Sequence, residues 1–170
     1  ASVPLVLVVN PKLPARTVKE FIDHARANPN LLNYSSSGTG TITHLASAMF
    51  SNQLGLQTQH VPYKGSAPGL VDLAAGQTQF MIDTMNTVLP YVRDGRLRAL
   101  GVASLKRSPL LPDVPTLVEA GGEEDTLVAT YFAFALPAKT PRPVVDRLHE
   151  AMNRAVFATE VAERLNKAGL

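Results

Sequence analysis

The chain has 170 residues, 45% of them apolar and 18% charged, a composition that supports a packed core burying roughly two thirds of the unfolded surface. Its formal charge of +2 is spread over separated lysines and arginines, with no basic run and no interleaved aromatics, which argues against nucleic acid as a partner. Cysteine is absent, so disulfides and thiolate metal sites are excluded, and the longest apolar runs fall well short of the roughly 20 residues that cross a bilayer.

Residues 3–9 are a continuous apolar run closed by NPKLP, the pattern of a buried strand and its exit turn. TVKE then opens a helix as a capping box, Thr17 taking an orphan amide and Glu20 reaching back, with Val18, Phe21, Ile22 and Ala25 facing inward. A short strand, LLNYS, leads through SSSGTGT into a second helix whose expected inward stripe is Ile42, Leu45, Ala46, Met49 and Phe50. TQHVP reads as a strand, YKGSAPG as a turn, and Leu70, Val71, Leu73 and Ala74 as the apolar positions of a helix ending at Gly76. QFMI, a helix from Thr87 to Arg93 and the strand LRALGVA repeat the alternation. The fold class is therefore α/β, with parallel units and helices on both faces of a sheet.

The later chain changes character. The segment from Lys106 to Asp125 carries prolines and glycines around one short helix and reads as a surface excursion. TLVATYFAFALP reads as a long apolar strand. Thr140 is the expected cap and Pro141 the first position of a helix with Val144, Val145, Leu148, Met152, Ala155 and Val156 inward, followed by a short last helix. These later elements carry more apolar surface than the preceding lobe can cover, so they call for a covering partner, either more of the same protein or a second copy.

Chemistry concentrates in SSSGTGT. A strand, a glycine-rich turn and a helix start present free amides at the positive end of the helix dipole, a site for carboxylate or phosphate. The alternative is a tight turn with a helix cap. GTGTIT lacks both the GK[ST] ending of a phosphate-binding loop and the third glycine of a dinucleotide fingerprint. A hydrolase would need one of Ser35 to Ser37, above all Ser37, with His44 and Asp83, but no GxSxG elbow surrounds the serines. His24, His60 and His149 are scattered and have no metal-ligand spacing. Asp83 follows an apolar strand at the carboxyl end where open α/β sheets bind ligands, and serves equally as a helix cap. Tyr63 and Lys64 belong to the same rim, the first as a pocket wall, the second solvated.

Four ordered blocks, LNYSSSGTGTITHLASAMF, HVPYKGSAPGLVDLAAGQ, GRLRALGVASLKRSPLLPDVPTLVEAG and LPAKTPRPVVDRLHEAMNRAV, resemble the Bug family, the periplasmic solute receptors of tripartite tricarboxylate transporters. The resemblance runs from about Val3 to Leu170. It implies a periplasmic binding protein fold of type II in which two α/β lobes close on an organic carboxylate, with no cofactor, no metal and no catalysis, and with the membrane transporter subunits as partners. It implies that residues 1–10 are a crossover strand and hinge, 11–126 a complete ligand-binding lobe, and 127–170 a returning strand and helices of a partial second lobe. Full members carry roughly a hundred further N-terminal residues, about one more domain. By the same resemblance Ser36, Ser37, Gly38, Thr39, Gly40 and Thr41 hold a carboxylate, and Tyr63 and Asp83 line the wall. The effector domain of a transcription regulator shares this architecture, but no helix-turn-helix accompanies it here.

Overall fold

The computed structural model describes residues 2–121 and 129–168. Among these residues six strands and six helices follow one another, and five of the strands form a continuous sheet. In chain order these are β1 (Ser2–Val9), α1 (Val18–Ala27), β2 (Leu32–Ser36), α2 (Ile42–Gln53), β3 (Thr58–Pro62), α3 (Ser66–Ala75), β4 (Phe80–Thr84), α4 (Met85–Arg93) and β5 (Arg98–Ala103). The sheet order is β3-β2-β4-β1-β5. β2 runs parallel to β3 and β4, whereas β1 is antiparallel to both β4 and β5. An apolar run carries no direction in its composition, so the antiparallel course of β1 was not predictable from residues 3–9 alone.

Alternation along β1 builds two cores. Leu5, Leu7 and Val9 join Val18, Phe21, Ile22 and Ala25 of α1 and Ala46 and Phe50 of α2 on one face. Val6 and Val8 join Leu70 and Leu73 of α3 and Met85, Val88 and Leu89 of α4 on the other. Side chains of successive strand residues point to opposite faces, so a strand buried on both must be apolar throughout. The stripe expected on α1 is the buried one. Its cap is also as expected at Thr17, whose hydroxyl accepts the Glu20 amide at 3.1 Å. The Glu20 carboxylate reaches one residue further back than a capping box requires, to the Arg16 amide at 2.7 Å.

The expected face of α2 is corrected by about one residue of rotation. Thr43, Ala46, Ser47, Phe50 and Ser51 are buried, while Leu45 and Met49 are 47% and 41% exposed. The small hydroxyl residues turn inward because each has work there: Ser47 accepts the Ile82 amide at 3.2 Å and donates to the Thr43 carbonyl at 2.8 Å, and Ser51 accepts from Thr58 at 3.0 Å. Hydropathy alone ranks these residues outside, but satisfied hydroxyls are cheap to bury.

The excursion after β5 is not purely superficial. Leu111 and Leu117 are both buried, and the segment returns along β5 through hydrogen bonds from the Val102 amide to Pro115 and from the Leu117 amide to Val102. The short helix expected there is a series of turns among the described residues. Leu117 sits on Gly101, where a Cβ would meet its Cδ2 at 2.5 Å and Val18 Cγ2 at 3.1 Å.

Beyond the undescribed 122–128, where the boundary expected at residue 126 and the start of the apolar run fall, β6 (Ala129–Tyr131) pairs antiparallel with Ser2–Pro4 of β1. The run then leaves regular structure, so among the described residues it is strand over three positions rather than a long one, with Phe132 and Phe134 exposed. Without a neighbouring strand an extended apolar run has no ladder to join. α5 (Arg142–Val156) starts one residue later than expected, with Pro141 rather than Thr140 at the cap position. It and α6 (Thr159–Lys167) bury no residue completely; Val144, Leu148 and Val156 stay open to solvent. No described helix is long and apolar enough to cross a membrane.

Gly101→Ala is expected to destabilise by about 1–3 kcal/mol through overpacking. The same substitution in a Leu117→Ala background should cost measurably less than in the parent, because the two sites share one space. Denaturant midpoints of the four proteins check this; strict additivity would contradict it.

Candidate functional site

The parallel strands β2, β3 and β4 end at one edge of the sheet, and α2, α3 and α4 begin there. In open α/β sheets this carboxyl-end rim is where ligands sit. β2 is buried to its last residue, Ser36, and residues 37–41 make the turn into α2. Gly38 and Gly40 take φ values of +138° and +78°, a region that L side chains avoid. Thr39 and Gly40 are exposed, and Ser37, Gly38 and Thr41 half-buried.

Hydroxyls hold this turn. The Ser37 amide donates to Thr43 Oγ1 at 2.8 Å, Ser37 Oγ lies 2.8 Å from the same oxygen and 3.1 Å from Thr41 Oγ1, and Thr41 Oγ1 donates to the Gly38 carbonyl at 2.6 Å. No charged side chain takes part. The amides of Thr39, Ile42, Thr43 and His44 have no hydrogen-bond acceptor among the described residues. Three of these are the first amides of α2, where the aligned peptide dipoles place partial positive charge. The strand-to-helix turn anticipated at SSSGTGT is present.

The adjoining β3–α3 turn is tied to it: the Tyr63 amide donates to the Ser36 carbonyl and the Gly65 amide to the Ser37 carbonyl, both at 3.1 Å. The Tyr63 ring covers Gly69, where a Cβ would touch both it and Ser35. Its hydroxyl donates to Asp72 Oδ2 at 2.7 Å. Burial, and then that hydrogen bond and the Asp72 charge, push the phenol up to about 12, so Tyr63 is held neutral and fixed in place. Lys64 is exposed.

Asp83 occupies β4, and Thr84 after it is the cap residue of α4. The carboxyl is only 1% exposed. Oδ1 accepts the Thr84 amide at 2.6 Å, while Oδ2, like Asn86 Oδ1, is buried without a hydrogen bond among the described residues. Burial raises the pKa of Asp83, opposed by the Ser66, Thr84 and Thr87 hydroxyls and the Thr84 amide. It thus lies just behind the rim rather than on its surface.

The serine and histidine of the hydrolase reading are not brought together. Ser37 is held by Thr41 and Thr43, and His44 Nδ1 accepts the Gly40 amide at 3.0 Å. His60, scattered in sequence, is the residue that sequence reasoning missed. Its Nε2 lies 2.6 Å from Ser36 Oγ, and its ring stacks on His44 with centroids 4.0 Å apart and on Tyr34 at 5.0 Å. The parallel register of β2 and β3, which places Tyr34 opposite His60, was the signal available. Ser36 is fully buried, which withholds it as a nucleophile. His24 bonds within α1 to Asn28, and His149 within α5 to Asn153. No group of three or more potential metal ligands gathers among the described residues.

All residues, 1–170, match the model of the tripartite tricarboxylate transporter family receptor, TctC. The chain is 41% identical over its whole length to the UPF0065 protein in the tcbD-tcbE intergenic region of Pseudomonas sp. strain P51, covering 51% of that protein. It is 35% identical over 168 residues to protein BugT of Bordetella pertussis, again covering 51%. Among solved structures, R. palustris Rpa4515 with adipate superposes with a TM-score of 0.93 at 35% identity, over 99% of this chain and 56% of that one. MatC (Rpa3494) from Rhodopseudomonas palustris with bound malate gives 0.88 at 29%, over 99% and 57%. The chain thus spans about half the length of these relatives.

Because the folded state holds the Asp83 proton more tightly than the unfolded chain, this group favours folding at low pH, and the advantage is lost as pH rises through its raised pKa. Asp83→Asn keeps an oxygen for the Thr84 amide and removes the buried charge. Its Tm at pH 7.5 should exceed the parent's by about 2–4 °C, corresponding to roughly 1 kcal/mol, and the gap should close toward pH 4. Calorimetry across that range checks it; a lower Tm for the variant at pH 7.5 would show that the ionised carboxylate stabilises the fold.

Proposed function

We propose, for a chain that belongs to the tripartite tricarboxylate transporter receptor family, that it is the carboxylate-holding lobe of a periplasmic solute receptor, with Ser36 to Thr41 as the anion loop. The observation that carries this is the set of unsatisfied amides at the start of α2, framed by neutral hydroxyls. A carboxylate is solvated there by dipoles already in place, so no buried arginine has to be stripped of water to receive it. The partial charge suits a carboxylate that must later leave: fixed dipoles bind an anion without the deep trap of a full ion pair.

Tyr63 forms the adjoining wall of this site, and Asp83 supports it from behind. Residues 1–10 act as hinge and crossover strand, 11–126 as the lobe, and 127–170 as part of a second lobe whose remainder covers Phe132, Phe134, Val144 and Leu148. The open apolar face of α5 and the length of the relatives support that division. The ligand class is a small dicarboxylate, in keeping with the adipate and malate named for two structural relatives, and delivery is to the membrane subunits of the transporter.

Thermal shift and calorimetric titration with adipate and malate test the reading. A ligand at a hundred times its Kd adds about 2.7 kcal/mol to the native state, a rise in Tm that the uncharged 1,6-hexanediol should not produce. Gly38→Ala places a side chain at φ +138° in the loop and is expected to weaken binding about tenfold or more. Gly55→Ala, also at a positive φ, +65°, but beyond the far end of α2, should lower Tm and leave affinity unchanged. Equal effects of both on affinity would remove the loop from the site.

A further inference from the structure

We propose that His44 is a positioning residue for the anion loop, its Nδ1 holding the Gly40 amide, and that ligand affinity falls when that nitrogen takes up a proton; this rests on the receptor reading above. The geometry is specific. His44 Nδ1 accepts the Gly40 amide at 3.0 Å, so the neutral ring carries its proton on Nε2. That bond directs the Gly40 amide back toward the helix, at a residue with a φ of +78°. The His60 ring, 4.0 Å away and 16° from parallel, reaches the other glycine through Ser36: its Nε2 is 2.6 Å from Ser36 Oγ, which accepts the Gly38 amide and donates to the Gly38 carbonyl, both at 3.2 Å. Two stacked imidazoles therefore address the two glycines of GTG, one directly and one by relay.

A proton on His44 Nδ1 removes the lone pair that receives Gly40, setting two N–H groups against each other. The relay through His60 tolerates either state, because Ser36 Oγ accepts from a protonated Nε2 and still donates to Gly38. The loop is thus sensitive to one ring and not to the other. Around the pair stand the Tyr34 phenol of β2, stacked on His60 at 5.0 Å and His44 at 6.3 Å, and the partially positive start of α2. No carboxylate hydrogen-bonds or ion-pairs with either ring among the described residues. Neighbours that are neutral or positive oppose a second charge, and burial together with His44 lowers the pKa of His60.

The test separates positioning from mere packing. In His44→Asn the side-chain oxygen replaces Nδ1 as acceptor and does not titrate; in His44→Leu there is no acceptor. With adipate and malate as probes, affinity of the parent should decline as the His44 ring takes up its proton. His44→Asn should match the parent within about threefold at pH 7.5 and show no decline that follows histidine protonation, and His44→Leu should bind about tenfold more weakly at pH 7.5. Amide exchange at Gly40, followed by NMR alongside the His44 ring titration, should accelerate as the ring protonates, with or without ligand. A His44→Asn protein that keeps the parent's pH profile, a His44→Leu protein with parental affinity, or a Gly40 amide indifferent to the ring titration would each overturn the proposal. Should neither acid bind the parent at any pH, the receptor reading fails by itself, and Gly40 exchange still decides whether His44 positions the loop.

Discussion

Everything in the molecule is arranged around β1. Its residues Leu5 to Val9 hydrogen-bond to β4 on one side and β5 on the other, and it is apolar on both faces because each face carries a core. Since it runs against its neighbours, its amino end lies at the carboxyl ends of β4 and β5, with Leu5 beside both Thr84 and Ala103. The chain therefore enters the sheet from the rim that carries the loop, and β6 leaves along Ser2 to Pro4 on the same side. On the proposed division into lobes, β1 and β6 would be the two short backbone segments that join them, the kind of connection a hinge closure uses.

The rim follows from this constraint. Parallel β2, β3 and β4 deliver three helix starts to one edge, and the first of them is left with amides that the protein does not use. Order in the loop comes from short-range hydroxyl contacts, Ser37 with Thr43 and Thr41 with Gly38, and from the histidine pair beneath it. Such a site depends on orientation more than on charge, since each dipole counts only while it points at the ligand. Tyr63, whose phenol is pushed to about 12, adds no charge to this rim. Asp83 runs against it: a buried carboxyl with one oxygen lacking a hydrogen bond among the described residues costs stability, and such groups recur where function rather than folding selects the residue.

Much of this was legible in the residues. The α1 stripe, the alternation of strands and helices, and the glycine turn at 37–41 follow from periodicity and from the conformations that only glycine adopts. What escaped was long-range. Leu45 and Met49 were expected inward, whereas Thr43, Ser47 and Ser51 take that face because β4 and β3 offer them partners, and no helical periodicity encodes those. His60 gained its role only when β3 paired in register with β2. The apolar run after residue 126 read as a long strand, yet a strand needs a neighbour, and among the described residues only β1 supplies one, over three positions. Family blocks carried the functional reading further than chemistry alone, which left SSSGTGT balanced between an anion site and a plain turn.

The central claim is that a ligand carboxylate rests on the amides at the start of α2. A crystal structure of the protein with adipate tests it most directly. The account predicts carboxylate oxygens within about 2.7–3.2 Å of the Ile42 and Thr43 amides, with the turn at 37–41 unchanged and no arginine or lysine of this lobe in contact. A ligand bound elsewhere, or one whose carboxylates are met by basic side chains while those amides face water, would contradict it.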